Sequence, residues 1–212
     1  MKLSNACAEG RIIGGLIIAA AAAGNILMLH HPTSFNGADD GLLLHDWTNA
    51  LVHSGMMACL CLFLFAFAVL TKRLGEEHLA IRAGGMAISG GLIALIIAAF
   101  INGFVVDGLQ AMSLDPIAVA PQFVMLRLVN QKLALLGIAL MGASMALWAP
   151  QMLRRDGLSK LAGGFGIAMA LLAGYWLFVG GGVFGLHVAA FSMFAFSAWS
   201  LIIAAQLIRG RL

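Results

Sequence analysis

Residues 83–106 read AGGMAISGGLIALIIAAFINGFVV, a continuous run without a single charged side chain. An α-helix needs about 20 mainly apolar residues to cross the hydrocarbon core of a membrane. The run therefore predicts a membrane-spanning helix. Five other apolar runs have similar lengths, and together they predict six spans at roughly residues 11–29, 47–70, 83–106, 127–149, 160–179 and 184–207.

Composition indicates an integral membrane protein rather than a soluble one. Apolar residues make up 62% of the 212 residues, charged residues only 10%, and the mean hydropathy is +0.99. A soluble domain of this size needs many more charges on its surface. We therefore expect an all-α protein in a lipid bilayer, with residues 1–212 forming one six-helix transmembrane domain. The 26 glycines fit this class, because small residues let membrane helices approach closely.

The distribution of basic residues predicts the orientation of the chain. Lysines and arginines precede span 1 and occupy alternate loops and the C-terminal end, at Lys2, Arg11, Lys72, Arg73, Arg82, Arg154, Arg155, Lys160, Arg209 and Arg211. Cytoplasmic loops carry such an excess. We expect both termini in the cytoplasm, a retained first span, and location in the plasma membrane (the inner membrane of a bacterium). Short basic clusters without a basic stripe give no sign of nucleic-acid binding.

Polar side chains gather near the opposite, outward-facing ends of the spans. Ionisable groups at membrane depth are costly, so such a layer is a candidate functional site. Its members are Asn25, His30, His31, His45, Asn49, His53, Asn102, Asp107, Arg127, Asn130, Gln131, Lys132, Tyr175 and His187.

The histidines of this layer suggest a metal or haem site. His45, Asn49 and His53 recur every four residues and so share one face of a helix. His187 enters the membrane from the same side and is predicted to meet His53. Neutral imidazole is the commonest metal ligand, and two histidines from different helices can hold a haem. The candidate ligands are His30, His31, His45, His53 and His187, with Asp39, Asp40 and Asp46 as additions.

A structural role explains the same histidines without a metal. His53 can simply hydrogen-bond Asn102 or a main-chain carbonyl inside the bundle, and no spacing here matches a named metal motif such as H-E-x-x-H. Cys59 and Cys61 lie two residues apart, so they should face different sides of their helix.

Polar residues at the start of span 4 offer a second way to bind a ligand. Arg127, Asn130, Gln131 and Lys132 can hold an anionic group or a quinone carbonyl in an outer cavity, and Asp107 is a natural ion-pair partner for Arg127. The alternative is snorkelling, in which Arg127 and Lys132 lift their charges into the headgroups. The mostly apolar stretch 107–126 is predicted to lie on the membrane surface or to cover the site as a lid.

The arrangement is superficially similar in topology to rhomboid intramembrane proteases. That family needs a Gly-x-Ser-Gly nucleophile at the outer start of span 4, which this chain lacks. The nearest string contains Ser144, roughly 25 Å below the outer surface at 1.5 Å per residue. A base must lie within hydrogen-bond reach of its nucleophile, so His187 at that surface cannot activate Ser144. The sequence excludes this serine-protease activity.

Three functions remain open on the sequence alone. The first is a metal- or haem-binding protein, such as an oxidoreductase or electron-transfer subunit, working through the outward-facing pocket. The second is a non-catalytic accessory subunit that packs against other membrane subunits or against copies of itself. The third is a small transporter or a lipid- or quinone-binding protein, with Asn49, Asn102, Lys132 and Tyr175 among the residues lining its site.

Overall fold

The computed structural model describes residues 2–32, 44, 47–112, 116–155, 157–179 and 186–212. This part of the chain is helical apart from short turns. The helices are α1 (Lys2–Leu29), α2 (Asn49–Gly75), α3 (Leu79–Phe100), a π-helical turn (Ile101–Val105), α4 (Val106–Ala111), α5 (Pro116–Leu153), α6 (Leu158–Phe178) and α7 (Leu186–Ile208).

Six helical segments are long and apolar enough to cross a membrane, as the sequence predicts. They comprise Cys7–Leu29, Asn49–Gly75, Leu79–Leu109, Val119–Leu153, Leu158–Phe178 and His187–Ile208. The third of them runs from α3 through the π-helical turn into α4. In the described part of the chain the fold is therefore a six-helix bundle suited to a lipid environment.

The helices form a closed ring in which each packs on its neighbours in the sequence. Contacts follow the order α1, α2, α3, α5, α6, α7 and return from α7 to α1. One end of this ring carries most of the basic residues: Arg73 binds Glu9 at 2.8 Å, and the Arg155 guanidinium donates to the Arg211 carbonyl at 2.9 Å. We call it the basic end. The opposite end holds His31 and His53, and we call it the histidine end.

Aromatic side chains fill the centre of the ring. Trp148 of α5 and Trp199 of α7 are fully buried and stacked, with ring centroids 6.2 Å apart, and Phe67 of α2 packs against both. A buried indole N–H needs an acceptor. Trp148 donates to the Ile81 carbonyl and Trp199 to the Ala162 carbonyl, each at 3.0 Å, so the two rings also tie neighbouring helices together.

Close contact between α3 and α5 depends on two glycines that face each other. A Cβ atom at Gly91 would lie 2.7 Å from the Gly137 carbonyl oxygen, and one at Gly137 would lie 2.9 Å from the Gly91 carbonyl oxygen. These distances are far inside van der Waals contact. Only glycine at both positions permits this backbone approach, as expected for membrane helices that associate without a hydrophobic driving force.

The boundaries of span 4 differ from the sequence prediction. The sequence predicts a span from residue 127 preceded by a surface segment or lid over 107–126, but α4 extends to Ala111 and α5 begins at Pro116. Pro116 occupies the first helical position, where its missing N–H costs nothing. Pro121 lies inside the helix, where a proline removes one main-chain hydrogen bond and its ring crowds the carbonyl of the preceding turn. The 38 residues of α5 extend about 57 Å at 1.5 Å per residue, well beyond one bilayer core.

Candidate functional site

A buried histidine lies at the centre of the histidine end. His53 stands one turn into α2 and is only 3% exposed. Its Nδ1 lies 2.9 Å from the Asn49 carbonyl oxygen, and its Nε2 lies 2.9 Å from Nδ2 of Asn102. A carbonyl only accepts, so Nδ1 carries the proton, and Nε2 accepts from the Asn102 amide. Two helices thereby hold the ring in one tautomer. The partners are a main-chain carbonyl and Asn102, the two kinds of partner that the sequence suggests for a structural histidine.

Asn49 extends this network to a carboxylate. Its side-chain amide donates to the Asn102 carbonyl oxygen and to Oδ1 of Asp107, each at 2.8 Å. Both amide protons of Asn49 are therefore used. The four residues Asn49, His53, Asn102 and Asp107 form one continuous hydrogen-bonded chain, which we call the polar network.

The π-helical turn places Asn102 within this network. π-Helical turns are rare and frequently occur at functional sites. Gly103, in the same turn, contacts the Cβ of His53 so closely that any side chain at position 103 would overlap it. The turn and the glycine together allow α2 and the end of α3 to come close enough for Asn102 to reach His53.

Two further histidines form the rim of the site. The His31 ring meets His53 edge-on, with centroids 4.9 Å apart, and Nδ1 of His31 lies 2.8 Å from the Pro32 carbonyl oxygen. His30 stacks on Trp47 with centroids 4.1 Å apart. The Trp47 main-chain N–H also donates to the His30 carbonyl at 3.1 Å. The end of α1 and the segment that leads into α2 are thus fastened to each other beside His53.

Asp107 adds to the network a carboxylate that forms no salt bridge within the described chain. The residue is half-buried within the third candidate span. Its one hydrogen bond within the described chain comes from the neutral Asn49 amide, and no cation of the described chain forms a salt bridge with it. The ion pair with Arg127, one of the two alternatives that the sequence offers for that arginine, does not form, and Arg127 is exposed on α5. Partial burial of a charge without a counter-charge costs free energy.

Other residues of the predicted site stand apart from the polar network. His187 is exposed in the first turn of α7, and no hydrogen bond or ring contact in the described chain joins it to His53. Tyr175 and Lys132 are exposed, and Asn130 and Gln131 are half-buried on α5. Asn25 accepts a hydrogen bond from Ser197 at 2.9 Å, away from His53. Four candidate ligands lie outside the described residues: His45, Asp39, Asp40 and Asp46.

The described residues do not form a ready-made metal centre. No group of three or more histidine, cysteine, aspartate or glutamate side chains comes together there with the spacing to hold an ion. Cys59 is buried and Cys61 is exposed, so the two thiols face different sides of α2 as expected. Any ion bound at the histidine end would have to displace the Asn102 amide from His53 or draw a ligand from beyond the described chain.

Two members of the site are not singled out by the sequence. Trp47 and Gly103 carry no ionisable group, and their roles depend on stacking and on backbone approach. The signal in the sequence is weak: a tryptophan at a predicted membrane interface, and a glycine beside the one asparagine of span 3.

Comparisons with family models, with curated proteins and with solved structures find no match to this chain.

Proposed function

We propose that this chain is a multi-pass membrane protein that binds a cation at its histidine end, with a transition-metal ion as the first candidate. The observation that supports this proposal is the half-buried Asp107 carboxylate, which forms no salt bridge within the described chain. A cation beside it would offset the cost of holding that charge. Imidazole and carboxylate are ligand types that zinc, copper and iron accept, and this end of the bundle offers both, although the described side chains do not come together there as a group of three ligands.

The orientation of His53 supports a metal more than an organic cation. A metal-binding histidine usually donates its second ring N–H to a carbonyl or carboxylate, which fixes the tautomer. His53 does this through Nδ1 and Asn49, so Nε2 is its ligating atom. Nε2 is occupied by the Asn102 amide, and binding would exchange that hydrogen bond for a metal bond. His31 would supply a second imidazole and Asp107 a carboxylate, and both side chains would have to move toward Nε2, because the described residues do not already form a group of three ligands.

A small ion fits this site better than a haem. His53 is almost completely enclosed by Asn102, Gly103 and His31, and a porphyrin needs an open, flat cleft beside its ligating nitrogen. The aromatic cluster around Trp148 and Trp199 fills the centre of the ring, which favours binding at one end over passage through the bundle. On this proposal the ion is held on the outward face of the membrane.

Titration calorimetry tests the proposal. The protein would be freed of metal with a chelator, exchanged into chelator-free detergent buffer, and titrated with Zn²⁺. We expect one saturable site whose affinity falls at least tenfold in Asp107→Asn, which keeps the hydrogen bond with Asn49 but removes the charge. The matched control, Glu77→Gln, removes an exposed carboxylate at the basic end and should leave the affinity unchanged. No saturable binding of Zn²⁺, Cu²⁺ or Fe²⁺, or equal losses in both variants, would overturn the proposal and favour a structural network in an accessory subunit.

A further inference from the structure

The basic end carries a pocket that the proposed function does not use. Five residues line one pocket at this end: Arg154 and Arg155 after α5, Ser159 and Lys160 in the first turn of α6, and Arg211 after α7. We call it the basic pocket. Four of its five lining side chains are cationic, and they come from three separate segments of the chain.

The contacts within the pocket show that these segments are held together. The Arg155 guanidinium donates to the Arg211 carbonyl at 2.9 Å. A Cβ atom at Gly157 would lie 3.9 Å from a guanidinium nitrogen of Arg211, so that side chain reaches back over the α5–α6 turn. Gly157 itself has a φ of +53°, a conformation that suits glycine and turns the chain tightly between the two helices. The cations are therefore gathered by the fold.

Neutral donors in the pocket also suit an anion. α6 begins at Leu158 with no side-chain cap, so its first-turn N–H groups point outward with the positive end of the helix dipole. Ser159 is buried, and its oxygen accepts a bond from the Gln206 amide at 2.6 Å. Its hydroxyl proton then remains available to donate. Guanidinium groups, main-chain N–H groups and a hydroxyl together match the oxygens of a phosphate.

The positive charge of the chain is concentrated around this pocket. Residues 154–211 hold five lysines and arginines and a single acidic residue, Asp156, which lies outside the described residues. The turn between α2 and α3 is also basic, with Lys72, Arg73 and Arg82, but Glu76 and Glu77 offset most of this charge. Arg73 also forms a salt bridge with Glu9 of α1 at 2.8 Å. The general excess of lysine and arginine in cytoplasmic loops would apply to both regions alike. It does not explain why acidic residues offset the positive charge between α2 and α3 but not around the basic pocket.

We propose that the basic pocket binds a phosphate group, carried either by an anionic lipid headgroup or by a soluble phosphate compound. Basic pockets between membrane helices are known to hold such headgroups at the membrane surface. The site lies at the opposite end of the bundle from His53, so it is independent of the cation proposed there.

Binding of dioctanoyl phosphatidic acid to the detergent-solubilised protein tests this proposal, with lipid adducts counted by native mass spectrometry and affinity measured by calorimetry. We expect one saturable site and none for dioctanoyl phosphatidylcholine. The variant Arg154→Gln/Lys160→Gln should weaken binding by about fivefold for each cation removed, the size of the attraction between one surface cation and an anionic membrane. The control Lys72→Gln/Arg82→Gln removes the same charge from exposed positions at the same end and should change the affinity by less than about twofold.

Competition with inorganic phosphate identifies the source of the phosphate group. If millimolar phosphate displaces the lipid, the pocket recognises the phosphate alone and soluble compounds are its ligands. If it does not, the lipid headgroup together with its acyl chains is the ligand. Equal losses in the two double variants, or adducts that never saturate, would overturn the proposal, because binding would then reflect general attraction to a basic surface.

Discussion

Asn102 and His53 join two helices through a single hydrogen bond, with the amide Nδ2 of one lying 2.9 Å from the ring Nε2 of the other. The residues are 49 positions apart in the sequence, and neither could reach the other without the π-helical turn and the close approach at Gly103. This bond fixes the tautomer of His53 and connects it, through Asn49, to the carboxylate of Asp107.

Replacing Asn102 by leucine should destabilise the protein by about 1–3 kcal/mol, because a buried acceptor on His53 loses its donor. Unfolding by denaturant in detergent micelles would measure this. Asn130→Leu is the matched control: Asn130 is half-buried on α5, and its side chain makes no hydrogen bond within the described chain. Equal effects of the two substitutions would contradict the assigned role of Asn102.

A side chain at position 103 should push α2 and the π-helical turn apart. Gly103→Ala places a methyl group against the His53 Cβ, and such overpacking typically costs about 1–3 kcal/mol. Gly108→Ala, in α4, meets nothing within 4 Å and should leave stability unchanged or slightly improved. Melting temperatures of the two variants give the comparison, and a Gly103→Ala variant as stable as Gly108→Ala would speak against the close contact.

The crossing of α3 and α5 can be tested with two adjacent glycines. Gly91→Ala directs a methyl group at the Gly137 carbonyl oxygen, 2.7 Å away, and main chain cannot move aside as a side chain can. Gly90→Ala meets only Leu140 at 3.5 Å, an ordinary contact. We expect the first variant to unfold at lower denaturant concentration and the second to behave like the unmodified protein. If Gly90→Ala were the less stable of the two variants, a different face of α3 would have to pack against α5.

Orientation in the membrane is a prediction from the basic residues. In a background without the three native cysteines, Met112→Cys at the histidine end should react with a membrane-impermeant maleimide on intact cells. Glu77→Cys at the basic end should react only after the membrane is opened. Both side chains are exposed, so accessibility does not limit either reaction. Labelling of Glu77→Cys alone on intact cells would reverse the predicted topology.

Local patterns in the sequence predict much of this fold. Six spans follow from the apolar runs because hydrophobic length is a property of each segment alone. The spacing of Asn49 and His53 predicts that they share a helix face, and the Nδ1 bond to the Asn49 carbonyl spans the same single turn. The sequence places Asn102 and Asp107 near the same end of the bundle as Asn49, and both residues accept hydrogen bonds from the Asn49 amide.

Rotation about the helix axes is what the sequence does not reveal. The sequence predicts that His187 meets His53, but His187 stands exposed on α7; Arg127 is exposed on α5, which agrees with the alternative of snorkelling and not with the ion pair to Asp107. Depth follows from counting residues along a helix, whereas direction depends on how the helices pack. The π-helical turn also changes the rotation of the residues that follow α3, and this changes the direction in which Asn102 points. The pattern of apolar residues in the sequence does not predict such a turn.

Metal analysis of the protein as purified would show whether an ion is bound at the histidine end. The protein would be isolated in mild detergent without chelator and measured by inductively coupled plasma mass spectrometry, beside His31→Ala and Asp107→Asn. We expect close to one equivalent of zinc, copper or iron, strongly reduced in both variants and retained in Glu77→Gln. A protein that carries no stoichiometric metal and takes up none when zinc, copper or iron is supplied would contradict the proposed cation site, and the polar network would then be a structural link between α2 and the end of α3.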